Sequence, residues 1–183
     1  YNMMDQLGYW VLDQAFKGAA YLNSTGLQLK IAVNMSPSQL YDLNFTNNLK
    51  ELAQKHQVEL SQFELELTED VALSNSILVK KQLSQIQILG ATIAIDDFGK
   101  GYSNLAYLRD IEIDCIKIDK SFIMQIDESP VNRAIVEASQ LIAKAANCDV
   151  VAEGIETIQH LHILREIGVL FGQGFLFSKA VSI

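Results

Sequence analysis

Thr92-Ile93-Ala94-Ile95 runs directly into Asp96-Asp97-Phe98-Gly99, and this junction decides the fold. Residues 92–95 read as a short strand, and two adjacent carboxylates follow where a buried strand has no use for charge. Five other apolar runs carry the same signature. Asn34 closes residues 29–33, Glu66 sits in 63–67, and Lys117 lies inside 115–118. Glu153 and Glu156 follow 150–152, and Gln173 follows 169–171. Polar groups gathered at the ends of successive strands are how a parallel α/β barrel builds a reactive rim.

Helical patterns separate the runs. Residues 4–21 carry Leu7, Trp10, Val11, Ala15 and Phe16 at helical spacing. Ser36 reads as an N-cap with Pro37 at the first helical position. Helices are expected over 45–56, over 74–89 closed by Gly90, and over 103–109. Another runs from Ser129-Pro130 to about Asn147, and Thr157 caps one that ends before Gly168. Strands alternating with helices imply a parallel sheet, and no Pro/Gly/Ser-rich linker divides the chain, so residues 1–183 read as one domain.

Side chains along a strand point to opposite faces with period two. Ala32 shares a face with Asn34, Glu64 with Glu66, Ala94 with Asp96, Cys115 with Lys117, and Val151 with Glu153. The opposite faces are bulky and apolar. One face is suited to packing under helices. The other is small below and functional above, as in a barrel interior. A closed barrel needs eight strands and about 250 residues. The expectation is therefore a modified TIM-like (β/α)8 barrel whose first one or two strands lie upstream of Tyr1.

The chain has 183 residues, 49% hydrophobic and 20% charged, with net charge -8. No basic tract is available to neutralise a nucleic-acid polymer or an anionic membrane. No apolar run approaches the ~20 residues that span a bilayer. Cys115 and Cys148 lack metal or redox spacing and read as buried thiols. His56, His160 and His162 lie in helical stretches away from the strand ends and receive no catalytic role.

Each acid also has a plainer reading. Asp96-Asp97 suits hard oxygen-loving cations such as Mg²⁺ or Mn²⁺, but an isolated Asp-Asp is more often a solvated loop or a helix cap. Glu66 could face water on an edge strand. Glu69 could cap a helix or anchor a loop. Lys117 could be a salt-bridge partner, a phosphate contact or a proton-transfer group, with Asp119 as its neighbour on the same face. Glu156 suits a helix N-terminus. Gly172-Gln173-Gly174 would let backbone approach a ligand closely.

Taken in order, these pieces resemble the EAL domain family of cyclic di-GMP phosphodiesterases. The matching stretches are Val33-Asn34-Met35-Ser36 with Gln39-Leu40, Glu64-Leu65-Glu66-Leu67-Thr68-Glu69, and Asp96-Asp97-Phe98-Gly99 with Gly101-Tyr102-Ser103. Ile116-Lys117-Ile118-Asp119, Glu153-Gly154-Ile155-Glu156-Thr157 and Gly172-Gln173-Gly174-Phe175 with Phe177-Ser178-Lys179 complete the series. The resemblance implies metal-dependent hydrolysis of cyclic di-GMP to linear pGpG. It implies that Asn34, Glu66 and Asp96 ligate one Mg²⁺ or Mn²⁺, and that Asp96, Asp97 and Glu153 hold a second. Lys117 would orient or deprotonate the attacking water or stabilise phosphate charge. Gln173 and Glu156 would support the substrate, and Glu69 would hold the loop after Asp97, through which a homodimer could couple to the site. The rival reading is a receptor module that binds cyclic di-GMP without cleaving it.

The family's Glu-Ala-Leu signature would precede Tyr1, and without it this piece is expected to hydrolyse little. Lys100 replaces a small residue usual in the family, often Thr, and would either alter loop closure or pair with an acid. Ala180 replaces a usual Pro. The domain is expected to be cytoplasmic, in a parent that could be membrane-anchored.

Overall fold

The apolar runs become six strands: β1 (Ile31–Asn34), β2 (Phe63–Thr68), β3 (Thr92–Phe98), β4 (Cys115–Ile118), β5 (Asp149–Ala152) and β6 (Phe171–Gly172). The structure, a computed structural model, describes residues 2–73, 76–100, 108–109 and 111–181. The strands form one sheet whose order follows the chain, and β1–β2, β3–β4, β4–β5 and β5–β6 are parallel pairs. Sequential parallel strands require crossover connections, and helices supply them: α1 (Asn2–Ser24), α2 (Pro37–Tyr41), α3 (Phe45–His56), α4 (Glu69–Leu73), α5 (Ile77–Ile88), α6 (Lys120–Ile123), α7 (Pro130–Ala146) and α8 (Ile158–Ile167). This is the βα progression of a TIM-like barrel, as the strand-end pattern predicts.

One helix expectation changes, and one lies largely outside the described residues. The helix expected over 74–89 starts at Ile77, with the Ser76 side chain accepting from the Val79 N–H, and α4 is a separate turn before it. Only residues 108–109 of the helix expected over 103–109 are described. On α1 the buried face is Leu12, Phe16 and Ala19, whereas Leu7, Trp10 and Val11 are exposed. The helix carries apolar residues on more than one side, so spacing alone did not choose the face. β3 also runs on through Asp96 and Asp97 instead of ending before them.

Packing divides the chain into two compact units, one of residues 1–67, 71–93 and 110–112 and the other of residues 68–70, 94–109 and 113–183. In the first unit, α1 packs on α3 and β1. The Phe16 ring stacks on Phe63 with centroids 4.0 Å apart, and neither residue is exposed. Asp13 on α1 accepts from Lys55 Nζ at 2.7 Å and is 2.8 Å from His56 Nε2, tying α1 to the end of α3. Asn23 and Gln62 exchange amide hydrogen bonds of 2.8 and 2.9 Å. Gln39, buried on α2, accepts the Ser36 N–H at 2.8 Å, so Ser36 begins the helix with Pro37 next, as expected.

In the second unit, α7 packs on β4 and β5, and α6 and α8 pack on α7. The caps fall where the sequence places them. Ser129 Oγ accepts from Asn132 N–H at 3.2 Å, Thr157 Oγ1 from His160 N–H at 3.1 Å, and Asn147 ends α7 in the left-handed region at φ 56°. α6 was not anticipated. It is a single turn with Asp119 as its cap. Cys115 and Cys148 form no disulfide. Cys115 is buried as expected, but Cys148 is only partly so. No helix among the described residues is long and apolar enough to cross a membrane.

Two outcomes test the first unit. Phe16→Ala leaves a cavity against Phe63 and should lower unfolding free energy by about 3–5 kcal/mol in urea titrations. The hydrogen bond to His56, then that to Lys55, holds the Asp13 carboxyl below its ordinary value. A lowered folded value means stability present above the unfolded carboxylate range, near ~3.9, and lost as pH falls through the folded one. Asp13→Asn should therefore shrink the difference in stability between pH 7 and pH 3.

Candidate functional site

The β3–β4 ladder pairs Ile95 with Ile116 and Phe98 with Ile118. Three steps on β3 thus match two on β4, and both Asp96 and Asp97 stand opposite Lys117. An extra residue of this kind bends a strand and re-aims its side chains. Asp97 lies in the left-handed region at φ 56°, a conformation that Asp tolerates better than most residues. The Asp97 N–H donates back to Asp96 Oδ1 at 2.9 Å. The bulge therefore sends the two carboxylates to different partners.

Asp96 turns toward Lys117, whose Nζ is 3.8 Å from Asp96 Oδ1 and 2.7 Å from Glu153 Oε1. The Lys117 side chain is 8% exposed, so its ammonium depends on these carboxylates rather than on water. Glu153 follows β5, where its N–H donates to the Ile118 carbonyl at 3.1 Å. The same Glu153 Oε1 accepts the Gln173 amide at 2.8 Å. Four successive strand ends thus converge: Asp96 from β3, Lys117 from β4, Glu153 beyond β5 and Gln173 beyond β6.

Gln173 is positioned by close backbone contact. Its N–H donates to the Ala152 carbonyl at 2.9 Å, and its carbonyl accepts from Ile155 N–H at 3.0 Å. A Cβ on Gly174 would lie 2.1 Å from the Ile155 carbonyl oxygen. The Gly-Gln-Gly stretch therefore lets backbone approach Ile155 of its own chain. Gly154, at φ 74°, makes the turn after Glu153 and leaves no room for a side chain beside Lys120.

Asp97 turns outward to Lys100, whose Nζ is 2.8 Å from Asp97 Oδ1 and 2.8 Å from Asp119 Oδ2. Asp119 shares the alternation of Lys117 but pairs with Lys100, a link that only the bulge geometry reveals. Its Oδ1 accepts from the Ser121 N–H at 2.9 Å and from the Ser121 hydroxyl. Burial pushes the Asp119 carboxyl up, but the Lys100 ammonium and the Ser121 donors outweigh it and hold the group at about 2. The bond to Asp119, then that to Asp97, raises Lys100 above the ordinary lysine value. Of the two outcomes expected for Lys100, the pairing with acids is the one observed. Glu69, buried at the start of α4, accepts the Gly99 N–H at 3.3 Å.

In the first unit, Asn34 and Glu66 are register partners at the ends of β1 and β2, and the Met35 N–H donates to the Glu66 carbonyl at 2.9 Å. Glu66 is buried and Asn34 exposed. Glu156 is exposed just before Thr157, the cap of α8. The donor types of Asn34, Glu66, Asp96, Asp97 and Glu153 are hard oxygens that fit Mg²⁺ or Mn²⁺. Among the described residues, no group of three or more His, Cys, Asp or Glu side chains is gathered tightly enough to hold an ion. Lysine ammoniums stand among the acids of the second unit instead.

Known proteins align with this arrangement. The EAL domain family profile matches residues 1–180. The cyclic di-GMP phosphodiesterase PA2567 of Pseudomonas aeruginosa is 38% identical over 177 residues, covering 97% of this chain and 30% of that protein. The solved complex of PaMucR phosphodiesterase with c-di-GMP superposes with a TM-score of 0.92 at 33% identity, covering 97% of this chain and 72% of that one. The manganese and cyclic di-GMP complex of Klebsiella pneumoniae BlrP1 gives 0.87 at 30% identity, covering 95% of this chain and 44% of that one. The chain spans less than a third of the length of curated relatives that it matches. With its strand order, its motif series and a profile match over nearly every residue, this chain belongs to the EAL domain family.

Proposed function

We propose that this chain forms catalytic machinery of a protein that hydrolyses cyclic di-GMP to linear pGpG in bacterial second-messenger signalling. The observation that carries the reading is Lys117, held between Asp96 and Glu153 with Gln173 on the same Glu153 oxygen. The names of the relatives supply the substrate. In the reaction, a water oxygen bonds to phosphorus, one P–O bond to a ribose 3′ oxygen breaks, and a proton passes to that oxygen.

Asn34, Glu66 and Asp96 would hold one divalent ion, and Asp96, Asp97 and Glu153 a second, with Mn²⁺ favoured as a probe by the BlrP1 complex. Such ions, when bound, supply positive charge to the phosphate and lower the pKa of water. Lys117 keeps one ammonium proton on Glu153 and offers its others to a phosphate oxygen or to the attacking water. Charge that grows on phosphate oxygen during attack is stabilised by a fixed ammonium in a site with little water. Gln173 holds Glu153 in orientation and would present its amide edge to the substrate, with Glu156 as a further support for substrate and metal shell. Glu69 fixes the start of the loop after Asp97 through Gly99. A second copy docking on that loop would be felt at Asp97.

The test uses the complete parent protein, with product formation followed by chromatography in Mn²⁺. Asp96→Asn should lower kcat by at least about 10²-fold, since it removes charge from the shared ligand. Lys117→Met should lower it by a similar factor, with substrate binding less affected. Circular dichroism should match wild type in both. Retention of wild-type turnover by Asp96→Asn would sink the two-ion reading, and unchanged cyclic di-GMP in the wild-type reaction would sink hydrolysis itself.

A further inference from the structure

Lys100 stands between two acids at the end of β3, and that geometry has a consequence. The ammonium lies 2.8 Å from both Asp97 and Asp119. Asp119 is a rigid anchor, since its side chain is 3% exposed and its other oxygen is committed to Ser121 at the start of α6. Asp97 is the opposite, 43% exposed at the edge of the bulge. The Lys100 N–H also donates to the Asp97 carbonyl at 3.2 Å, so the lysine is part of the same turn as the carboxylate it neutralises. A compact ammonium on a four-carbon stem, pinned by a buried acid, is a tethered monovalent cation.

We infer that Lys100 competes with the divalent ion for Asp97. The inference rests on the reading that Asp97 ligates that ion. An ion entering through Asp97 must break the ion pair and then share its surroundings with an ammonium that Asp119 retains. Both effects weaken binding. Neither abolishes it, because the Lys100–Asp97 pair is half-exposed and such pairs are weak. The lysine therefore sets the ion concentration at which the second position fills, and holds the Asp97 turn closed when no ion is there. A small neutral residue at this position would leave Asp97 to the ion alone.

Mn²⁺ titration of the complete protein, followed by the electron paramagnetic resonance signal of free Mn²⁺, measures this without reference to catalysis. Lys100→Thr and Lys100→Met should both tighten the weaker of two Mn²⁺ sites by about threefold to tenfold, the range expected for loss of one partly exposed pair and its repulsion. Met offers no oxygen, so tightening in both variants is due to the missing charge. Lys100→Arg should leave both sites within about twofold of wild type. In chelator, Lys100→Met should melt below wild type, and saturating Mn²⁺ should raise its Tm by more. Two Mn²⁺ sites of equal strength in wild type, Thr and Met proteins would overturn the role of Lys100 while leaving the metal reading intact. Absence of Mn²⁺ binding in every protein would overturn both.

Discussion

A lysine ammonium with almost no access to water has to be met by negative charge, and Lys117 makes that demand on every neighbouring strand. Glu153 answers at 2.7 Å and Asp96 more distantly at 3.8 Å. To deliver these groups, β3 has to bulge at its end, β5 has to turn sharply after Ala152, and the chain beyond β6 has to bring Gln173 onto Glu153. An apolar residue in place of such a buried pair is often as stable or more so. Stability alone therefore does not account for the arrangement.

Two lysines of the second unit, Lys100 and Lys117, meet its acids in different ways. Lys117 is fixed by burial and faces the side of the bulge that carries Asp96. Lys100 is half-exposed and faces the side that carries Asp97. The bulge is what separates them. It sets both acids opposite Lys117, and the left-handed turn at Asp97 carries the second carboxylate to Lys100.

Much of this was legible in the sequence, because it follows from rules of short range. Period-two alternation placed Glu66, Lys117 and Glu153 at strand ends, and Ser129, Pro130 and Thr157 marked helix starts by their hydrogen-bonding chemistry. What was not legible depends on how one segment meets another. The bulge at Asp96-Asp97 exists only as a mismatch with β4. Asp119 could not be assigned to Lys100 over Lys117 by alternation, since its partner is set by that mismatch. Spacing does not choose the face that α1 buries, because Leu7, Trp10 and Val11 are as apolar as the residues that pack. Glycines around Gln173 signalled a close approach, but not whether ligand or chain was approached.

That last contact ties distant parts of the sequence into one mechanical piece. Ile155 exchanges backbone hydrogen bonds with Gln173 and Leu176, and Gly172 and Gly174 lie against it without side chains. Glu153 and Glu156 flank Ile155 on one side of this splint, and Gln173 rides on the other. The two segments cannot drift independently. A change of size at residue 155 will be transmitted to the amide that orients Glu153, so in natural variants residues 155, 172 and 174 should alter together or not at all.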